Sequence, residues 1–239
     1  MNDFICLFTP GRSGTAWITQ VFGKCNWEKR KLYVNDNNIV THESWETHKI
    51  PIPEIKQYGL NDNRSIKLQL ECIEFYINKA INENSNLNNY FVTAHKIGRF
   101  FGYCLPYFKN YKIIYVDRSK DNVISSFVKR FNNREIKQTP KRYQEFIDSV
   151  WKKVFYHPSD KSTIIHVSEN KWKKYNDIQK LNWYCDETKE QWFKLKQNLD
   201  PSRYIETSYE KLLVGDFDRI SKFINIPYNP DHIKIKVNT

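Results

Sequence analysis

The segment Phe4-Ile-Cys-Leu-Phe-Thr-Pro-Gly-Arg-Ser-Gly-Thr-Ala-Trp-Ile18 constrains the fold more than any other part of the chain. It reads as a buried strand, a glycine-bearing turn and the start of a helix. Gly11 and Gly14 can take backbone conformations that other residues avoid, so the chain can turn sharply and approach an oxyanion closely. The free N–H groups and the positive dipole of the new helix attract that anion. Arg12, Ser13 and Thr15 add side-chain donors, and Ala16 and Trp17 continue into the helix. A Walker A loop needs G-x-x-x-x-G-K-[ST]. Here Gly11 is followed by Gly14 with no lysine after it, which disfavours an ordinary ATP or GTP loop.

Three further apolar runs read as buried strands: Tyr90 to Thr93, Lys112 to Val116 and Arg203 to Glu206. Between the first strand and Tyr90, Ile66, Leu70, Ile73, Ile77 and Ile81 recur at spacings of three and four, the signature of a long amphipathic helix. Strands alternating with helical patterns predict an α/β fold, a central and mostly parallel sheet covered on both faces. The 239 residues, 40% hydrophobic and 15% aromatic, suit one such domain over 1–239. Residues 34–62 and 132–170 hold prolines and aromatics without a clear period. They read as insertions that cover a site, with Trp45, Trp151, Phe155 and Tyr156 as candidate lining.

Charge narrows the partners. Lys and Arg number 38 against 27 Asp and Glu, a formal +11, so the surface favours anionic ligands. The densest basic runs, Lys29-Arg30-Lys31 and Lys173-Lys174, are too short for a nucleic-acid arm, and no specific nucleic-acid partner is expected. Five widely spaced cysteines contain no C-x-x-C pair and no zinc pattern. The first strand begins within three residues of Met1, and no apolar stretch approaches the roughly 18 residues of a membrane span. A reducing, cytoplasmic location without membrane attachment is the expectation.

A second anion-binding pattern lies at Tyr111 to Arg130. The run Lys112-Ile-Ile-Tyr-Val116 ends in Asp117-Arg118, and Ser126 follows Arg118 by eight residues on the next helix. A guanidinium at a strand's carboxyl end can grip a terminal phosphate bidentately, and a nearby hydroxyl supplies another donor.

Together these stretches resemble the sulfotransferases that use 3′-phosphoadenosine-5′-phosphosulfate (PAPS). Their 5′-phosphosulfate loop is similar to Pro10, Arg12, Ser13, Gly14, Thr15, Ala16 and Trp17, with Gly11 inserted as in Arg-bearing bacterial members. Their 3′-phosphate signature, R-[ND]-P-x-D-x-x-x-S, resembles Arg118 through Ser126, with departures at Ser119, Lys120 and Asn122. The resemblance implies a P-loop-like fold with a sheet of four to five strands. It implies that Gly11, Arg12, Ser13, Gly14, Thr15, Ala16, Trp17, Arg118, Ser126 and Tyr209 bind the donor. Trp17 and Tyr209, the latter in Tyr204-Ile-Glu-Thr-Ser-Tyr209-Glu210, would lie near the adenine. The cofactor pair would be PAPS and its product adenosine 3′,5′-bisphosphate (PAP), with no metal required.

The resemblance also points to the catalytic groups. His95 stands where related cytosolic enzymes carry the His of K-T-H, so it is a candidate base. Thr93 replaces the family's lysine, and Lys96 joins Arg12 as a candidate to steady the transferring group. Glu43, in Thr41-His42-Glu43-Ser44-Trp45, is a second candidate base by similarity to H-E-P in bacterial relatives. The acceptor implied is a carbohydrate or small molecule with a hydroxyl or amine. Two other classes stay open at this stage. One is a Mg²⁺-dependent nucleotide kinase with Asp117 on a Walker B strand, and the other a basic polyanion-binding module without chemistry.

Overall fold

The pleat of the first strand, β1 (Asp3–Phe8), sorts its side chains between two cores. Phe4, Cys6 and Phe8 enter one hydrophobic cluster, and Ile5 and Leu7 enter another on the opposite face. A strand buried on both faces reads as a continuous apolar run, which is why its sequence shows no polar alternation. The computed structural model describes residues 3–23, 33–35, 38–41, 51–83, 85–93, 95–135, 147, 151 and 155–234.

After β1 the chain forms α1 (Thr15–Phe22), β2 (Tyr33–Asn35), β3 (Asn38–Thr41), α2 (Ile52–Tyr58), α3 (Asn63–Glu83), β4 (Asn89–Val92) and α4 (His95–Phe101). A 3-10 turn over Gly102–Tyr107 leads to β5 (Tyr111–Asp117) and α5 (Lys120–Glu135). Then come α6 (Glu169–Lys174), α7 (Asp177–Lys196), β6 (Tyr204–Ser208), α8 (Tyr209–Leu213) and α9 (Phe217–Ile224). Among the described residues the sheet has the order β2-β3-β4-β1-β5-β6. Five of its strands are mutually parallel, and β2 runs antiparallel along the edge beside β3. All four apolar runs of the sequence are strands of this sheet. The fifth parallel strand, β3, and the helix α2 both lie within the 34–62 stretch.

One face of the sheet is covered by α1, α8 and α9 through Trp17, Ile18, Val21, Leu212, Phe217 and Ile220. The other carries α2 to α5 and α7. There Trp192 of α7 stacks flat on Tyr115 of β5, with ring centroids 4.8 Å apart. The α3 pattern is helical as expected, but its buried face is rotated. Ser65, Gln69, Ile73, Tyr76 and Ala80 are buried, while Ile81 is 36% exposed. The amide nitrogen of Gln69 has partners there, donating to the Leu60 carbonyl at 2.8 Å and to Ser65 at 2.9 Å.

Residues 155–156 correct another expectation. Phe155 and Tyr156 are 1% and 2% exposed and pack into the core, so they line no site. Phe155 stacks on Tyr184 with centroids 4.3 Å apart.

Two contacts position the sheet's carboxyl edge. Helix α4 lies flush on β1, because a Cβ at Gly98 would sit 2.0 Å from the Leu7 carbonyl oxygen. At the other end, Asp216 before α9 accepts both Nε and Nη2 of Arg219 at 2.8 Å, and the Thr207 hydroxyl of β6 at 2.5 Å. The Arg219 hydrogen bonds hold the Asp216 carboxyl below the usual aspartate range.

Gly98→Ala is expected to destabilise the fold by roughly 3 kcal/mol, since backbone cannot yield as a side chain would; chemical denaturation measures it. For Asp216 the folded pKa lies below the unfolded value. Its stabilisation is therefore complete above the ordinary aspartate pKa and lost as pH falls through the folded one. Asp216→Asn should cost about 1 kcal/mol at pH 7, and the gap to the wild type should close on acidification in thermal melts.

Candidate functional site

The turn between β1 and α1 has a backbone that few sequences allow. Gly11, Arg12 and Gly14 have φ of 84°, 55° and 75°. Ser13 does not share the positive φ, so the sign alternates from Arg12 to Gly14. Alternating hands of this kind are the backbone pattern of an anion-binding nest. Gly14 is also the residue before α1, so the helix dipole adds to that nest. Both glycines singled out in the sequence thus use their freedom. The left-handed Arg12 was not foreseen, and a non-glycine there is strained. Gly14 is confined a second way, since a Cβ would lie 2.6 Å from Cε2 of Tyr209.

Three consecutive carbonyls of this turn are each held by a donor. Tyr184 of α7 donates its hydroxyl to Pro10 at 2.5 Å. Ser13 donates to Gly11 at 3.2 Å, and the Arg118 guanidinium donates to Arg12. Arg118 follows β5, the parallel neighbour of β1, so strand pairing alone brings the two motifs together. Ser126, two turns into α5, accepts from Arg12 Nε at 2.9 Å. Arg12, Arg118 and Ser126 therefore form one polar cluster at the carboxyl ends of β1 and β5. Within it Arg118 Nε is buried and meets no acceptor among the described residues. A charged donor left so beside an anion nest fits a phosphate-bearing ligand.

The aromatic candidates adjoin this cluster. Trp17, 5% exposed, meets Tyr209 edge to face at 5.7 Å and donates its indole N–H to the His232 carbonyl at 3.3 Å. The Arg118 guanidinium lies over the Tyr209 ring, 4.4 Å from its centroid. Ser13 is fully buried and Thr15 is 8% exposed, so both serve the loop from within. Ala16 follows in the first turn of α1.

The candidate catalytic groups are only partly visible. His95 opens α4, just past the carboxyl end of β4, and Lys96 follows it. Their backbone thus lies at the same sheet edge as the loop, while their side chains are outside the described residues. Glu43 also lies outside the described residues. Thr93, where the resemblance would put a lysine, is fully buried. Its hydroxyl bonds to the Thr19 hydroxyl of α1 at 2.6 Å and to the Thr41 carbonyl at 3.0 Å. That threonine ties α1, β3 and β4 together at the site's floor.

An open cleft of about 480 Å³ lies between α2, α6 and α7, walled by Trp151, Trp172 and His157. A buried Lys56 holds its floor, donating to the Trp151 and Phe155 carbonyls at 3.2 and 2.8 Å and pairing with Asp160 at 3.1 Å. Burial lowers the Lys56 pKa and raises that of Asp160, each opposed by the other's charge. Burial, then the Lys56 and Lys180 charges, keep His157 below the usual imidazole value. Trp151 connects this cleft to the loop through Tyr184, whose ring centroid is 6.4 Å away.

The sequence reading missed Tyr184, Thr93 as a tether, and Lys56. Tyr184 is one of 15 tyrosines and lies 174 residues from Pro10, so no local pattern marks it.

Comparison with known proteins agrees with this architecture. The chain is similar over 97% of its length to the sulfotransferase domain from the curacin biosynthetic pathway. That match covers 77% of the domain at 14% identity, with a TM-score of 0.51. It also aligns over 97% of its length with 75% of the sulfotransferase domain of the Synechococcus PCC 7002 olefin synthase, at 13% identity and a TM-score of 0.46. No curated protein sequence matches. Among the described residues no helix is long and apolar enough to cross a membrane. The sulfotransferase domain model matches residues 2–239, and the chain, nearly end to end, belongs to the sulfotransferase family.

Proposed function

We propose that the chain transfers a sulfuryl group from PAPS to a hydroxyl or amine of a carbohydrate or other small-molecule acceptor, without a metal. The observation that carries this reading is the left-handed turn over Gly11–Gly14 joined to an Arg118 whose buried Nε meets no acceptor among the described residues. The nest suits the 5′-phosphosulfate, and Arg118 with Ser126 suits the 3′-phosphate that distinguishes this donor from other adenine nucleotides. Gly11, Ser13, Thr15 and Ala16 shape the 5′ end, and Trp17 and Tyr209 wall the adenosine.

The donor supplies an activated sulfuryl group. During transfer the S–O bond to the phosphate breaks as the acceptor oxygen or nitrogen bonds to sulfur, and the acceptor's proton passes to a base. His95, at the start of α4, suits that role, because a neutral imidazole accepts a proton near pH 7. Glu43 is the other candidate. Arg12 and Lys96 offer cationic donors to the leaving phosphate, a stabilisation worth most where water is excluded.

PAP at a hundredfold excess over its Kd should stabilise the protein by about 2.7 kcal/mol in a thermal shift, with adenosine giving no comparable shift. Arg118→Ala should weaken PAP far more than adenosine 5′-phosphate in calorimetry; equal losses would remove its 3′-phosphate role. With labelled PAPS and an acceptor found by screening sugars, phenols, alcohols and amines, His95→Ala or Glu43→Gln should lower turnover by about 100-fold or more. If neither does, both base assignments fail.

A further inference from the structure

Tyr184 sits on the middle of α7, far from both motifs, yet its hydroxyl ends on the first carbonyl of the phosphate loop. The side chain is fully buried. Its ring stacks on Phe155 and meets the edges of Phe127 and Trp151 at 6.3 and 6.4 Å, so it has no room to turn aside. Behind it stands Arg99 of α4, also fully buried, which donates Nη1 to the Tyr184 hydroxyl oxygen. Arg99 is in turn fixed at its carbonyl, which accepts the Tyr156 hydroxyl at 3.0 Å. The neighbouring Gly98 seats this turn of α4 against β1 with no clearance, so Arg99 keeps a constant place relative to the strand that launches the loop.

We infer that Tyr184, backed by Arg99, is a positioning residue that aims the loop at the 5′-phosphate end of the donor; this rests on the donor assignment above. The peptide unit is planar and trans, so the Pro10 carbonyl and the Gly11 N–H point in opposite directions. Fixing the carbonyl toward α7 fixes the Gly11 N–H away from it. A hydroxyl that accepts from a guanidinium also becomes a stronger donor, so the charge on Arg99 is felt at the loop through the phenol. Burial raises the phenol pKa well above its ordinary value, so the hydroxyl keeps its proton at working pH. The Pro10 carbonyl is the handle by which this peptide is held from behind.

The test is binding of three probes, adenosine, adenosine 5′-phosphate and PAP, to Tyr184→Phe, which keeps the ring and removes the bond. The expected result is a loss of about tenfold for both phosphorylated probes, by the same factor, with adenosine unchanged. That pattern differs from the PAP-selective loss expected of Arg118→Ala. Tyr103→Phe removes another core hydroxyl, one bonded to Gln191 at 3.2 Å and not to the loop, and should leave all three affinities unaltered. Should Tyr184→Phe fail to fold, Arg99→Lys is the second variant. It retains the charge and the phenol but withdraws the guanidinium, and should give a smaller loss, about threefold, in the same pattern. Affinities within twofold of the wild type, or an equal loss in Tyr103→Phe, would overturn the inference. A wild-type protein that binds PAP no better than adenosine would instead overturn the donor assignment itself.

Discussion

A left-handed turn at the end of a buried strand is an expensive place to put an arginine, and the structure persists there because neighbouring elements hold it from several sides. Pro10, Gly11 and Arg12 present successive carbonyls, and each has a separate donor: Tyr184 from α7, Ser13 from the turn itself, and Arg118 from the end of β5. Backbone strain of order 1–3 kcal/mol per residue survives where the surroundings over-determine the conformation. With those carbonyls engaged, N–H groups are left for a ligand. The anion site is therefore a product of how the carbonyls are restrained as much as of the glycines that permit the turn.

The restraints come from a frame that is itself closely fitted. Gly98 brings α4 into contact with the backbone of β1, and the Thr19–Thr93–Thr41 hydrogen bonds join α1, β4 and β3 beneath the loop. On the far side, Lys56 and Glu187 place charge inside the protein for structural ends. Lys56 gathers two carbonyls and Asp160, while Glu187 accepts the backbone N–H groups of Ile164 and Ile165 and the Gln191 amide. Segments without regular structure need such partners for their backbone groups. His157, Ser159 and Asp160, in the segment next to Lys56, line the Trp151–Trp172 cleft.

Much of the architecture could be read before any coordinates. The four apolar runs are strands because both faces of a parallel sheet are covered, and Ile66 to Ile81 lie on a helix because their period is helical. The fifth parallel strand escaped notice: Asn38-Ile-Val-Thr41 is only four residues long and sits in a stretch with no clear period. The rotated face of α3 escaped as well, since a buried Gln69 is recognisable only once the Leu60 carbonyl and the Ser65 hydroxyl to which it donates are in view. Phe155 and Tyr156 misled because an aromatic residue in an irregular segment has the same letter whether it lines a cleft or fills a core.

By itself the sequence determined what is local: a strand, a glycine-permitted turn and a helix start within fifteen residues, and a second strand ending in Arg118 with Ser126 eight positions on. Short-range chemistry of that kind survives in the order of the letters. What only the tertiary structure decided is which distant groups hold the turn in shape. Arg118 lies 106 residues from the carbonyl it holds and Tyr184 lies 174 residues from its own. Such partners are chosen by the packing of α4, α7 and β5 around β1, and no spacing along the chain encodes a hydrogen bond that only the folded sheet brings within reach.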